Sequence, residues 1–357
     1  MRIGMLYGLE APPEFGVTAP QVYAEALEQI AFADQRGVDD VWMTEHHFFE
    51  DDYCPSPLIV CAAAAARTQR IRICQGIVVS PLYGHPLKLA EDAAVIDTIS
   101  NGRFELGLGQ GYRQDEFDGF GLPFERKLGM FLEGLDVIER AFTGERFSYE
   151  GRYYNVLGAQ LRPAPVQRPI PIWIGAATPA SRRRVAKRGH NLLISLLTDL
   201  EHTRSQFADY RVALTEAGRD PATEPTALIR EFYVAADDET AWREVRPHLM
   251  HTYKKVYAPP AVSLVERLPD GRRRPITSID DPYYDSDAFW QDRMIIGGPE
   301  RCARDICRWR DELGVDTLVL RMQHPGQPHD QVMRCIELLT GTVMPMVAAT
   351  PRQGATR

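Results

Sequence analysis

The feature that most constrains this chain is a repeated unit of an amphipathic helix, a glycine and a short apolar strand. In "VYAEALEQIAFADQRGVDDVWM", Tyr23, Leu27, Ile30 and Ala31 share one predicted helical face, and Gly37 stops the helix in a left-handed conformation before the run Val38 to Met43. "LKLAEDAAVIDTISNGRFELGLG" repeats the unit around Gly102, "PASRRRVAKRGHNLLIS" around Gly189 and "CARDICRWRDELGVDTLVLRM" around Gly314. Strands are predicted at 3–7, 40–43, 71–79, 104–108, 171–175, 192–195, 228–234 and 317–321. Eight strands separated by helices predict an α/β fold, a parallel (β/α)8 TIM barrel rather than an open sheet. Chemistry in such a barrel sits where the strands end, because the βα loops converge there while side chains fill the interior.

Two stretches break the alternation. Residues 143–169 carry aromatic, strand-like pieces around Gly151 and a Pro-rich approach to the fifth strand, which predicts a small hairpin insertion. Residues 257–292 show little periodicity and many Pro, Asp and Arg residues, including "GRRR", and are predicted to form a long lid-like loop before strand 8. The expected organisation is one domain over 1–345 with a flexible tail at 346–357.

Composition excludes several classes. Forty-one basic against forty-nine acidic residues give a net charge of −8 and a pI near 5.7, with no electrostatic footprint for nucleic acid or an anionic membrane. Six cysteines lie far apart without a Cys-x-x-Cys pair, and no signal-peptide pattern or membrane-length apolar run is read in the chain. A cytoplasmic protein is the expectation.

At the end of the second predicted strand stands "VWMTEHHFFEDD", an apolar run that stops at Glu45, His46 and His47. Adjacent residues on an extended chain point to opposite sides, so the three do not converge on one ion, and no metal is expected. One imidazole acting as acid/base, oriented by a neighbouring carboxylate, fits the place better than a buried structural histidine. "GRFELGLGQGYRQDEF" resembles a dinucleotide fingerprint but puts Tyr112 at the third glycine position and starts no helix there. Gly107, Gly109 and Gly111 suit either a tight βα turn or close approach of a flat ligand. "PIWIGAATPAS" ends a strand in small residues before Pro179; Thr178 and Ser181, with Arg182 nearby, suit simple capping or a phosphate cradle, and late-strand loops of barrels favour the cradle. "ICQGIVVSPLYGHP" places Gly76 inside a strand, a sign of a bulge or close backbone approach.

These pieces in this order, "EHHF" with "GRFELGLGQG" above all, resemble the bacterial luciferase-like, flavin-dependent monooxygenase family over nearly the whole chain. The resemblance implies the same barrel and lid, and reduced FMN (FMNH2) from a separate flavin reductase. It further implies O2, a C4a-(hydro)peroxyflavin, and oxygenation of a hydrophobic small-molecule organic substrate of aldehyde or secondary-metabolite type. His46 is similar to the family's active-site acid/base, with Glu45 and His47 behind it. Gly76 matches the bulge behind the isoalloxazine, Ala177, Thr178 and Ser181 the phosphate site, and Ser195 and Leu196 the strand end beside the flavin. Gly109 stands where the light-emitting enzymes carry a cysteine, and Gln110 where they carry arginine, a charge that Arg182 or Arg113 is expected to supply. Leu196 replaces a flavin-flanking tryptophan. The resemblance also implies a homodimer. Two alternatives accompany this reading: an F420-dependent oxidoreductase doing hydride transfer, and a non-catalytic partner subunit.

Overall fold

Each predicted apolar run forms its strand, and in the computed structural model, which describes residues 1–257, 264–268, 270–291 and 293–352, the eight close on one another. They are β1 (Arg2–Tyr7), β2 (Asp40–Met43), β3 (Arg72–Gln75), β4 (Phe104–Gly109), β5 (Ile172–Gly175), β6 (Asn191–Ile194), β7 (Thr226–Val234) and β8 (Thr317–Arg321). Every neighbouring pair is parallel, from β1–β2 round to β7–β8, and β8 returns to β1. This is a (β/α)8 barrel, in which each of the eight strands pairs on both sides.

Between the strands run α1 (Ala19–Gln35), α2 (Pro57–Arg67), α3 (Pro86–Ile99), α4 (Lys127–Phe142), α5 (Pro179–Arg188), α6 (Leu200–Glu216), α7 (Asp238–His251), α8 (Pro299–Leu313) and α9 (His329–Leu338). Gly37, Gly102, Gly189 and Gly314 all adopt positive φ after their helices, a backbone state that glycine enters without a Cβ penalty. The α1 face is rotated by about one residue from the predicted one. Val22, Ala26, Ile30 and Ala33 are buried, while Tyr23 and Leu27 pack at its margin.

Four departures from the sequence reading have physical reasons. The run 71–79 is not one strand: it breaks at Gly76, whose absent Cβ would lie 3.2 Å from Trp42 Cε3, and Val78–Val79 resumes pairing with β4. A strand at Met294–Gly297 was not anticipated; it extends the sheet beside the outer half of β7. The lid region is not structureless where described. Val265–Arg267 pairs with Arg273–Pro275, and Tyr283, Tyr284 and Trp290 are buried against Phe289. At the C-terminus Met344–Ala349 is helical, with Val347 buried, where a flexible tail from 346 was expected; 353–357 lie outside the described residues.

The helical stretch His329–Ala349 also has the length and apolarity of a membrane span, against the expectation of no such run. Here its apolar side, Val332, Cys335, Ile336, Leu339 and Val343, is buried in the core. The insertion forms an antiparallel hairpin, Phe147–Glu150 with Asn155–Ala159, which covers α4 through Met130, Val137, Tyr154 and Val156.

Toward the N-terminal ends of the strands the barrel interior is ionic. Asp40, Cys74 and Glu105 lie close enough to suggest a cation, but Arg2 meets Asp40 at 3.1 Å and Glu105 at 3.2 Å, and Arg72 also pairs with Glu105. The Trp173 indole N–H donates to Glu105 at 2.5 Å. The arginines already supply the positive charge there, and this end stabilises the fold.

Candidate active site

The C-terminal end of β2 carries Glu45, His46 and His47, and extended backbone sends them to alternate sides. His46 is 7% exposed. Its Nδ1 lies 2.7 Å from Glu116 Oε1, which also accepts the backbone N–H of His47 at 3.1 Å. A buried carboxylate accepts only, so Nδ1 carries the proton and Nε2 presents its lone pair. Tyr112 Oη lies 3.2 Å from that Nε2 and donates to it, on a residue that is half exposed as a whole although burial raises the pKa of its hydroxyl. Phe49 and Tyr53 close the other sides of the imidazole, with ring centroids at 5.1 and 4.8 Å. The carboxylate that orients His46 is therefore Glu116, seventy residues away, and not its neighbour Glu45.

Glu45 and His47 form a pair of their own, with His47 Nε2 donating to Glu45 Oε1 at 3.1 Å. The same oxygen accepts the Val79 amide at 3.2 Å. Burial raises the Glu45 pKa, which the His47 hydrogen bond and charge partly offset. The pair ties the end of β2 to the step after β3, where the Gly76–Ile77 peptide is cis. Ile77 then lies across the mouth. Its Cδ1 sits 1.8 Å from where a Cβ on Gly109 would be and 3.7 Å from the corresponding point on Gly175. The space at Gly109 is thus filled by Ile77, which forms an apolar shelf, and Gly107 is required because a Cβ there would meet the Gln75 carbonyl oxygen at 2.0 Å.

Across the mouth, β5 ends in Gly175 and α5 begins at Thr178. Thr178 Oγ1 accepts the Ser181 amide at 3.1 Å and Ser181 Oγ accepts the Thr178 amide at 3.0 Å, a reciprocal capping box. Residues 177–180 are exposed, and the Ala180 N–H has no intrahelical acceptor. Capping is thus satisfied, and one backbone N–H is left free at an exposed helix start. Neither arginine expected to assist is free: Arg182 is buried on the Ala177 carbonyl and Asp209, and Arg113 chelates Asp115 and stacks on Phe49. Gln110 is half-buried and makes no side-chain hydrogen bond among the described residues, and Ser195 is exposed where β6 ends. In "GRRR", Arg272 pairs with Asp270, and Arg274 with Glu266 and Asp281, leaving Arg273 without an ion pair among the described residues. Burial, and then the charge of Arg273, push the nearby His202 imidazole down.

The remaining arc of the mouth, where β7, β8 and β1 end, was not foreseen. Arg321 pairs with Glu10 and, at 3.5 Å, with Glu231; all three side chains are essentially unexposed. His251, the last residue of α7, donates to Glu14 at 2.9 Å and to Asp51 at 3.0 Å, joining the lid base to the loops after β1 and β2. Those two loops contain Leu9, Phe48 and Asp52, three of four non-glycine residues with positive φ among the described residues, and such backbone gathers where surrounding structure enforces a site. Glu116 and Tyr112 had a weak signal, the acidic run after the glycine loop. Glu10, Glu231 and Arg321 had none, because only barrel closure brings them together.

The family model described as luciferase-like monooxygenase matches residues 1–317. The oxygenase component of the flavin-dependent trigonelline monooxygenase from Acinetobacter baylyi is 29% identical over 227 residues, 63% of this chain and 62% of that protein. An F420-dependent glucose-6-phosphate dehydrogenase from Microbacterium testaceum is 28% identical over 254 residues, 69% and 73% of the two chains. The crystal structure of the monooxygenase RslO1 from Streptomyces bottropensis superposes with a TM-score of 0.83 at 26% identity, covering 97% of this chain and 99% of that one. In three of the curated matches the alignment spans 66%, 62% and 52% of the relative's own length.

Proposed function

The chain belongs to the luciferase-like monooxygenase family, and from that premise we propose that it is the oxygenase component of a flavin-dependent monooxygenase. It would use reduced FMN and O2 to oxygenate an organic substrate with an apolar body. The observation that carries this reading is the buried Glu116–His46–Tyr112 chain at the barrel mouth. Two features favour a flavin beside it: the apolar shelf of Ile77 over Gly109 and Gly175, suited to a flat ring, and the exposed start of α5, suited to a phosphate.

Reduced flavin, when bound, supplies the electrons for oxygen activation. His46 holds its proton on Nδ1 against Glu116 and takes or returns a second proton at Nε2, with Tyr112 Oη carrying the exchange to the mouth. Glu116 stabilises the imidazolium when it forms. Glu45 and His47 position the Ile77 shelf through the Val79 amide. Thr178, Ser181 and the backbone N–H groups of Ala177 and Ala180 would hold the phosphate, Arg273 would supply the charge that Gln110 lacks, and Gln110 and Ser195 would border the ring.

A separate reductase fits a chain resembling an "oxygenase component". Exposed apolar residues Ile59 on α2 and Val95 and Ile99 on α3 support a homodimer through those helices. Six free, buried cysteines suit a reducing, cytoplasmic setting. The F420 reading rests on the Microbacterium relative. Anaerobic titration with FMNH2 and with reduced F420 separates the two: tighter FMNH2 binding is expected, and preferential F420 binding would replace the monooxygenase assignment with hydride transfer.

A further inference from the structure

The arc formed by β7, β8 and β1 buries two carboxylates against one guanidinium and leaves much of their hydrogen-bonding capacity unused. Glu231 is 0% exposed, and neither of its oxygens is held in good hydrogen-bond geometry among the described residues, with Tyr253 and Arg321 close by and His324 Nδ1 3.5 Å away; Glu10 Oε2 and Arg321 Nε are also buried without a partner. Arg321 is committed to Glu10, and its approach to Glu231 at 3.5 Å is too long for a strong hydrogen bond. His324 adds no charge, since burial and Arg321 push its pKa well down. When both carboxyls are ionised one negative charge is unbalanced, and buried acceptors without donors are costly unless something else supplies them.

Tyr53, Tyr253 and Tyr257 stand close enough for their hydroxyls to feel the charges of the cluster. Tyr253 lies on the π-helical turn Thr252–Val256 at the lid base, a backbone form frequent at functional sites. Gly8 allows Glu10 to fold back, because a Cβ there would lie 2.6 Å from both of its carboxylate oxygens. Tyr53 also touches the His46 ring, so a group seated on this arc would lie next to the proton-transfer chain.

We propose that Glu231, with Glu10 and the ring of tyrosines, seats a protonated amine of the substrate, leaving the substrate's apolar body toward His46 and the Ile77 shelf. The inference rests on the monooxygenase reading for the identity of that substrate, but the seat itself does not require flavin. Burial pushes the Glu231 carboxyl up to about 7, with Arg321 opposing and Glu10 adding to the shift. Amine binding therefore strengthens as pH rises toward about 7 and levels off above it, while the alkylamine, like a lysine, keeps its proton.

The test is calorimetric titration of the purified full chain with n-hexylamine and with 1-hexanol, alongside FMNH2 binding, in wild type and Glu231→Gln. The expected result is at least tenfold tighter binding of the amine at pH 7.5, a preference lost in Glu231→Gln while FMNH2 binding is retained. Equal affinity for amine and alcohol overturns the proposal whatever the flavin result. Amine preference without FMNH2 binding sinks the monooxygenase reading and leaves the seat standing. Should Glu231→Gln not fold, the wild-type pH profile decides: about tenfold weaker amine binding per unit below pH 7 supports the seat, and a flat profile refutes it.

Discussion

At the scale of single residues, the site turns on which carboxylate serves which histidine. His46 is held by Glu116 and His47 by Glu45, so the two pairs separate by role. In Glu116→Gln the amide oxygen still accepts both N–H groups, and stability should change by only ~1 kcal/mol. The imidazolium loses its counter-charge, however, and kcat should fall about 10²-fold or more; single-turnover kinetics beside thermal melts would check the split, and equal losses in both would argue for a structural role. Gly109→Ala makes a different point. Its Cβ would collide with Ile77 Cδ1, so Ile77 must turn aside at a cost of ~1 kcal/mol, and flavin affinity should drop with the displaced shelf. Combining it with Ile77→Ala should recover the stability but not the affinity, which denaturant melts and flavin titrations would separate. Gly109 was legible in the sequence as a place where a side chain is excluded. What excludes it was not, because Ile77 reaches that point only through the step at Gly76.

At the scale of elements, the lid base is pinned by an imidazole between two carboxylates. Burial disfavours the charge on His251, but the hydrogen bonds and charges of Asp51 and Glu14 outweigh it, and its pKa is raised. Both ring nitrogens face acceptors, so the full clamp needs the imidazolium. The stabilisation is complete below the ordinary imidazole value of about 6.5 and is lost as pH rises through the raised one. His248, Lys255 and Glu10 are the other titratable groups near this clamp. Hydrogen exchange across 248–257 should therefore quicken with alkaline pH beyond its intrinsic rate, and His251→Gln should remove that excess; an unchanged excess would show that His251 does not hold the segment. The lid hairpin carries a second expectation. Arg273→Ala should weaken FMN binding about tenfold, the order expected for one charge-assisted contact, and leave riboflavin binding unchanged. Equal weakening of both ligands would place Arg273 away from the phosphate. The helix–glycine–strand units were readable because period and terminator agree locally. The Met294–Gly297 strand and the lid hairpin were not, since three or four residues amid Pro and Arg carry too little periodicity, and their pairing depends on distant partners.

At the scale of the whole molecule, one barrel divides its labour by end and by arc. The N-terminal end is an ion network closed by Arg2 and Arg72. The mouth offers a shelf and helix start on one arc, the Glu116–His46–Tyr112 chain at β2, and a buried charge cluster on the arc of β7, β8 and β1. Closure explains what sequence reasoning missed: Glu10, Glu231 and Arg321 are 90 to 311 residues apart along the chain and adjacent only because β8 pairs with both β7 and β1. The central claim is that His46, oriented by Glu116, governs the reaction of protein-bound reduced flavin with oxygen. The most direct measurement is stopped-flow reoxidation of FMNH2 by O2 with wild type, His46→Ala and no protein, after anaerobic titration has fixed the bound fraction. Bound FMNH2 is expected to reoxidise at a rate distinct from free flavin, and His46→Ala to shift this rate about tenfold or more with FMNH2 affinity nearly unchanged. Superimposable traces for wild type and His46→Ala at equal flavin occupancy would contradict it.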